Sequence, residues 1–170
     1  MPIPAGGRGA LIGHNPWLLP VMSLTRNRRL PALMLLAALV LLAAGCQGRR
    51  FDRQLTVHSE LLATMAADAA ASLEQRAGMP EILGLRYPLA RARGLAARGT
   101  ERYPGRPSLA AFEALVADYA LLVEHLERTR ALAGSVDAVD RQSIDEARRL
   151  ARQVAEGRGD LLVLLGGEGR

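Results

Sequence analysis

Few side chains in this 170-residue chain carry chemistry, and their spacing narrows it further. Cys46 is the single cysteine and follows Leu42-Ala43-Ala44-Gly45, small residues that close an apolar run. With one thiol, no intramolecular disulfide is possible, and the fold must stand on packing. Of the three histidines, His14 lies far upstream, His58 sits at the edge of an apolar helical stripe, and His125 on the polar side of another. Together with Met65 the last two form the one set that a metal ion or haem could use in a helix bundle, where ligands come from facing helices. No triad spacing, Gly-rich phosphate loop, HExxH, Glu-x-x-His or CxxCH accompanies them. The expectation is a non-enzyme with no metal and no cofactor; a metal- or haem-binding helix bundle is the alternative.

The surroundings of Cys46 are ordered. Arg26, Arg28 and Arg29 form a positive region, Leu30 to Leu42 an apolar one, and Ala43-Ala44-Gly45 a small-residue approach to cleavage. The apolar run contains Pro31 and falls short of the roughly 18 to 20 residues that a permanent span needs. With cysteine directly after the small residues, the segment Arg26 to Cys46 resembles the type II signal peptides of bacterial lipoproteins, with Ala43 standing where leucine is usual. The resemblance implies that the Cys46 thiol receives a diacylglyceryl group, that the chain is cut between Gly45 and Cys46, and that the new amine is acylated, typically with palmitate. Three acyl chains exceed the two signals that stable anchoring requires, at about 0.8 kcal/mol per buried methylene. Gln47 stands where lipoproteins kept at the inner membrane carry Asp, so the resemblance implies the outer membrane, facing the periplasm.

Signal peptides begin with their basic region, which makes Met22 a better start than Met1. Residues 1–21, with Pro2, Pro4, Pro16, Pro20 and the only tryptophan, Trp17, read as a mis-assigned upstream extension. Residues 22–45 then form the signal peptide, 46–50 a lipidated tether and 51–170 one helical domain. Four of the 22 basic residues precede Cys46 and all 17 acidic ones follow it, leaving 18 against 17, a net charge of +1 behind the leader. A nucleic-acid binder would carry its basic footprint in the folded part, so nucleic acid is excluded as a partner.

The elements that must position these residues are helical. Phe51, Leu55, Leu62, Met65, Ala66, Ala69 and Leu73 share one stripe, while Arg53, Glu60, Asp68 and Glu74 fall away from it. Gly78 and Pro80 end this helix. A second, shorter helix starts at Pro88 and stops before Gly99, with Leu89, Ala92 and Leu95 or Ala96 inward. After the Tyr103-Pro104-Gly105-Arg106-Pro107 loop, Ser108 is the expected N-cap of a third helix on Phe112, Val116, Tyr119, Val123 and Leu126, closed by Gly134. A fourth runs from Val136 or from Ser143, where Ser143 and Glu146 have capping-box spacing, and carries Ala147, Leu150, Ala151 and Val154 inward. Gly157 and Gly159 interrupt it before Leu161-Leu162-Val163-Leu164-Leu165, a run that suits either a further helical turn or a strand offered to a partner. The fold class is therefore all-α, an up-and-down bundle of three or four amphipathic helices behind a cleaved lipoprotein signal peptide.

Arg86, Arg91, Arg93, Arg98, Arg102 and Arg106 face only Glu101 in their window, which marks a candidate basic binding face. Arg49, Arg50 and Arg53 lie beside Cys46, close to lipid headgroups if the cysteine is acylated. The repeated Arg-Tyr-Pro at 86–88 and 102–104 is too short to define an architecture. The functional expectation is a membrane-anchored envelope lipoprotein with a protein-binding, assembly or structural role, its partners the membrane and another envelope protein.

Overall fold

A computed structural model describes residues 29–168 of the chain, with side chains described at 34–38 and 47–167. The expected extension at 1–21, most of the basic region, the exposure of Gly45 and the side chain of Cys46 lie outside what the structure describes. The chain divides into two units, 1–45 and 46–170. Of the first, the structure describes the start of helix α1, Arg29–Glu74, where Met34, Leu35 and Leu36 are exposed. The second unit holds the rest of α1, then α2 (Ile82–Arg102), α3 (Pro107–Ala133), a short 3-10 turn (Val136–Ala138) and α4 (Arg141–Glu168). The described residues contain no strand.

In the second unit, α1 buries Phe51, Leu55, Leu62, Ala66, Ala69 and Leu73, with Met65 packed at the core's edge. Every buried member repeats at helical spacing, so one face goes inward and the charges face water. Ser59 is buried on the same face and satisfies its hydroxyl by donating to Thr56 O at 2.9 Å. The helix ends at Glu74, four residues before the expected glycine cap, Gly78. Arg76 takes the left-handed conformation (φ 52°), its N–H bonds Leu73 O, and Ala77 N–H bonds Ser72 O. The guanidinium of Arg76 donates to Asp137 O at 2.7 Å, so the residue that reverses the chain also ties it to the turn before α4.

The start expected at Pro88 is wrong by two turns, because α2 begins at Ile82 and carries Pro88 inside it. Proline removes one N–H and crowds the carbonyl four residues back, here that of Gly84, which is exposed and can bond water instead. Burial of Leu85, Pro88 and Leu89 with Ala92, Leu95 and Ala96 offsets that loss, since each fully buried leucine contributes about 1.5–3 kcal/mol. Gly99 likewise does not stop α2. A Cβ there would lie 2.6 Å from Phe51 Cζ and 2.8 Å from Leu109 Cδ1, so the glycine lets α1 and α3 approach.

Pro107 occupies the first position of α3, where its missing N–H is harmless, and Arg106 is the N-cap residue. Ser108, the expected cap, is inside the helix and buried. Gly134 does close α3, at φ 67°, with its N–H on Arg130 O at 3.1 Å. The cap of α4 is Asp140, whose Oδ1 accepts from Ser143 N–H at 2.7 Å, in place of the capping box expected from Ser143. Gly157 and Gly159 do not interrupt α4, which runs on through Leu161–Leu165 as helix, with Leu161 fully buried.

The contacts give the topology. Phe51 with Gly99 joins α1 to α2, Tyr119 with Leu85 joins α3 to α2, Gly157 with Leu115 joins α4 to α3, and Arg148 with Glu74 joins α4 to α1. In each pair the residue numbers run in opposite senses, as Arg86 with Glu127 and Thr100 with Glu113 show for α2 and α3. The result is an up-and-down, four-helix bundle around Phe112, Leu115, Tyr119, Leu122 and Leu126 of α3.

Gly99→Ala is expected to lower the unfolding free energy by about 1–3 kcal/mol through overpacking. Gly159→Ala adds a carbon with nothing within 4 Å, and is expected to raise it by about 0.5–1 kcal/mol. Urea denaturation followed by circular dichroism reads both; a rise for Gly99→Ala would contradict the close approach.

Candidate functional site

The six arginines expected to form one basic face are divided by the structure into three environments. Arg86 and Arg93, seven residues apart, share the side of α2 that looks toward α3. There Arg86 Nε donates to Glu127 Oε1 at 2.6 Å, and the two arginines line a hollow of about 700 Å³ with Leu121, Glu124 and Glu127. The hydrogen bond from Arg86 holds the Glu127 carboxyl below the usual carboxylate range. Carboxylates therefore answer the cations on this side.

Arg106 is spent on structure. Its Nη1 lies 2.7 Å from Asp52 Oδ1 and its Nη2 donates to Oδ2 at 3.0 Å, a two-point pair that fastens the start of α3 to α1. Both side chains are mostly shielded, at 21% and 29% exposure, so the pair is screened less than a surface bridge.

Arg91, Arg98 and Arg102 occupy the opposite side of α2, against α1. The antiparallel pairing brings Gln47, Arg50, Gln54 and His58 of α1 to face them. Two hollows run along this groove. One of about 290 Å³ is lined by Gln47, Arg50, Gln54, Arg98, Arg102 and Tyr103. The other, of about 470 Å³, is lined by Gln54, His58, Tyr87, Arg91, Gly94 and Arg98. They share Gln54, Leu95 and Arg98, so the groove is continuous. No Asp or Glu lines either hollow.

Two of the groove's cations, Arg91 and Arg102, have neutral partners. Arg102 Nη2 donates to Gln47 Oε1, and its guanidinium lies 5.9 Å from the Tyr103 ring centre. Arg91 lies 5.7 Å from the Tyr87 ring centre. Arg98 lies over Gly94, with Nη1 3.6 Å from where a Cβ would stand. Phe51 stacks on Tyr103 at 4.9 Å between centroids and closes the floor. Among the described residues, none of Arg50, Arg91, Arg98 and Arg102 forms a salt bridge.

The histidines go to different places. His58 lies in the α1/α2 groove with Nδ1 3.0 Å from Gln54 O. His125 lies between α3 and α4, its Nε2 2.8 Å from Ser143 O, beside Asp140, Glu146 and Arg149. There a hydrogen bond from Arg149 holds the Glu146 carboxyl below its usual range. Met65 packs against the core. Among the described residues, no three His, Cys, Asp or Glu groups gather as metal ligands. Burial pushes the Tyr119 phenol well above its usual range, and its hydroxyl donates to Leu85 O at 3.4 Å, a structural bond within the core.

Arg50 belongs to the groove although sequence spacing placed it only beside Cys46. The signal that assigns it is the α1/α2 register, which no local pattern carries. No protein-family model, curated protein or solved structure matches the chain.

Arg106→Gln is expected to lower stability by about 1.5–3 kcal/mol, because it strands a partly buried carboxylate. Arg98→Gln, which loses no carboxylate partner, is expected to stay within about 0.5 kcal/mol of the parent. Thermal denaturation of the two variants distinguishes the structural arginine from the groove arginine.

Proposed function

We propose that the chain is a lipid-anchored protein of the bacterial envelope, held by acyl chains on Cys46, with a non-enzymatic role in binding another envelope protein. The observation that carries this reading is where the core begins. Among the described residues every buried side chain is Phe51 or later, so a cut between Gly45 and Cys46 removes none of the buried side chains described. The order of a positive region, an apolar region and small residues before Cys46 supports the same reading. Among the described residues no helix is long and apolar enough to cross a membrane.

The bundle also offers a surface for a partner. With α1 leaving Cys46 and the helices alternating in direction, the start of α2 and the end of α3 lie at the end away from the anchor. Leu83 and Leu132, 72% and 83% exposed, stand there as large apolar side chains in water. Such residues at the end facing away from the membrane suit a protein partner.

Native mass spectrometry of the protein gently extracted from bacterial membranes tests both parts. The expected species starts at Cys46, carries three acyl chains and retains a bound protein. A Cys46→Ser chain is expected to keep residues 22–45 and carry no lipid. An unlipidated parent chain that retains those residues would overturn the anchoring, and a lipidated chain that never carries a protein would overturn the binding role.

A further inference from the structure

We propose that the α1/α2 groove is a binding site for the phosphate of an anionic phospholipid headgroup. The charge gathered in this groove is uncompensated by carboxylates. Arg50, Arg91, Arg98 and Arg102 converge on two joined hollows whose linings hold no carboxylate. The contrast with the other side of the same helix is informative, because Arg86 and Arg93 share their hollow with Glu124 and Glu127. A bundle whose net charge behind the leader is nearly zero has thus placed its carboxylates elsewhere. Guanidinium forks match phosphate oxygens in geometry and form the shorter, stronger class of hydrogen bond.

The neutral lining fits the rest of a headgroup. Gln47, Gln54 and the Tyr87 hydroxyl present donors and acceptors suited to a glycerol or its esters. Hollows of about 290 and 470 Å³ lie in the range of small-ligand sites. Arg91 and Arg102 rest on tyrosine rings, so part of their side-chain entropy is already lost before binding.

Position selects the membrane as the source of the phosphate. Arg50 stands four residues after Cys46 on the same helix, an axial rise of about 6 Å. A bundle anchored at Cys46 would therefore hold this end of the groove at headgroup depth. Each arginine near an anionic surface adds to the attraction, which decays over a Debye length. The choice of a lipid source rests on the anchor proposed above; the groove's preference for phosphate-bearing anions does not.

The test uses the full chain carrying Cys46→Ser, which has no thiol to acylate, in neutral-detergent micelles. Micelles are doped with phosphatidylglycerol or with phosphatidylcholine, and inorganic phosphate is added to undoped micelles. The Nε–Hε resonances of Arg50, Arg91, Arg98 and Arg102 report occupancy, and amide dispersion reports folding. Phosphatidylglycerol is expected to move these resonances saturably, and phosphatidylcholine to leave them in place. Arg50→Gln with Arg98→Gln is expected to weaken the response by roughly tenfold or more. Arg49→Gln with Arg53→Gln, which removes equal charge outside the groove, is expected to change it by less than about twofold. No response to phosphatidylglycerol, or equal losses in the two double variants, would overturn the site. An equal response to inorganic phosphate would overturn the lipid source. Because the tested chain cannot be lipidated, failure of anchoring in cells and failure of the groove are separate results.

Discussion

The contact on which most of this bundle depends is the approach of Phe51 and Leu109 to the backbone of Gly99. An ordinary side chain at that position would need space that Phe51 Cζ and Leu109 Cδ1 already fill. Three helices thus meet at one point, and their register is set there. From it follows the stacking of Phe51 on Tyr103 and the pairing of Asp52 with Arg106 just beyond. It also determines that Gln47 and Arg50 stand opposite Arg98 and Arg102. A sliding of α1 along α2 by one turn would close no hollow between those residues and would leave Phe51 without its seat.

Charge is partitioned by helix face. The side of α2 toward α3 carries its own counter-charges, and the seams of α1 with α4 carry Glu60 with Arg158 and Glu74 with Arg148. These exposed bridges add little to stability individually, since long side chains lose entropy to make them and solvent screens them. Their information lies in what they neutralise. Glutamate and aspartate are spread over most seams, and the α1/α2 groove is the place that the carboxylates avoid.

The sequence made the helical class and much of the core legible, because apolar residues at three- and four-residue spacing have few alternatives to an inward stripe. Phe112, Val116, Tyr119, Val123 and Leu126 are buried as their period requires, and so are Ala147, Leu150, Ala151 and Val154. Boundaries were less legible. Pro88 and Gly99 are local breakers, and tertiary contacts overrode both, with Leu85 and Pro88 packing inward and Gly99 receiving its neighbours. Caps failed for the same kind of reason, since Ser143 and Asp140 both suit the cap of α4 and only the observed backbone path distinguishes them. The candidate basic face was half visible. The sequence shows an arginine-rich window, but two of its members turn toward Glu124 and Glu127, and one is held by Asp52 from a distant part of the chain. Arg50, which completes the groove, enters through the register of two helices.

The up-and-down order has a kinetic side. Each of α1, α2 and α3 packs on the helix that follows it in the chain, so most of the bundle assembles from segments separated by one short connection. Only the seam between α1 and α4 joins the two ends of the domain. Topologies dominated by such local pairings fold within microseconds to milliseconds, because little loop entropy is lost before contacts form. The α1/α4 seam carries the largest loop closure, making it the natural last step of assembly and the first line along which the closed bundle would open.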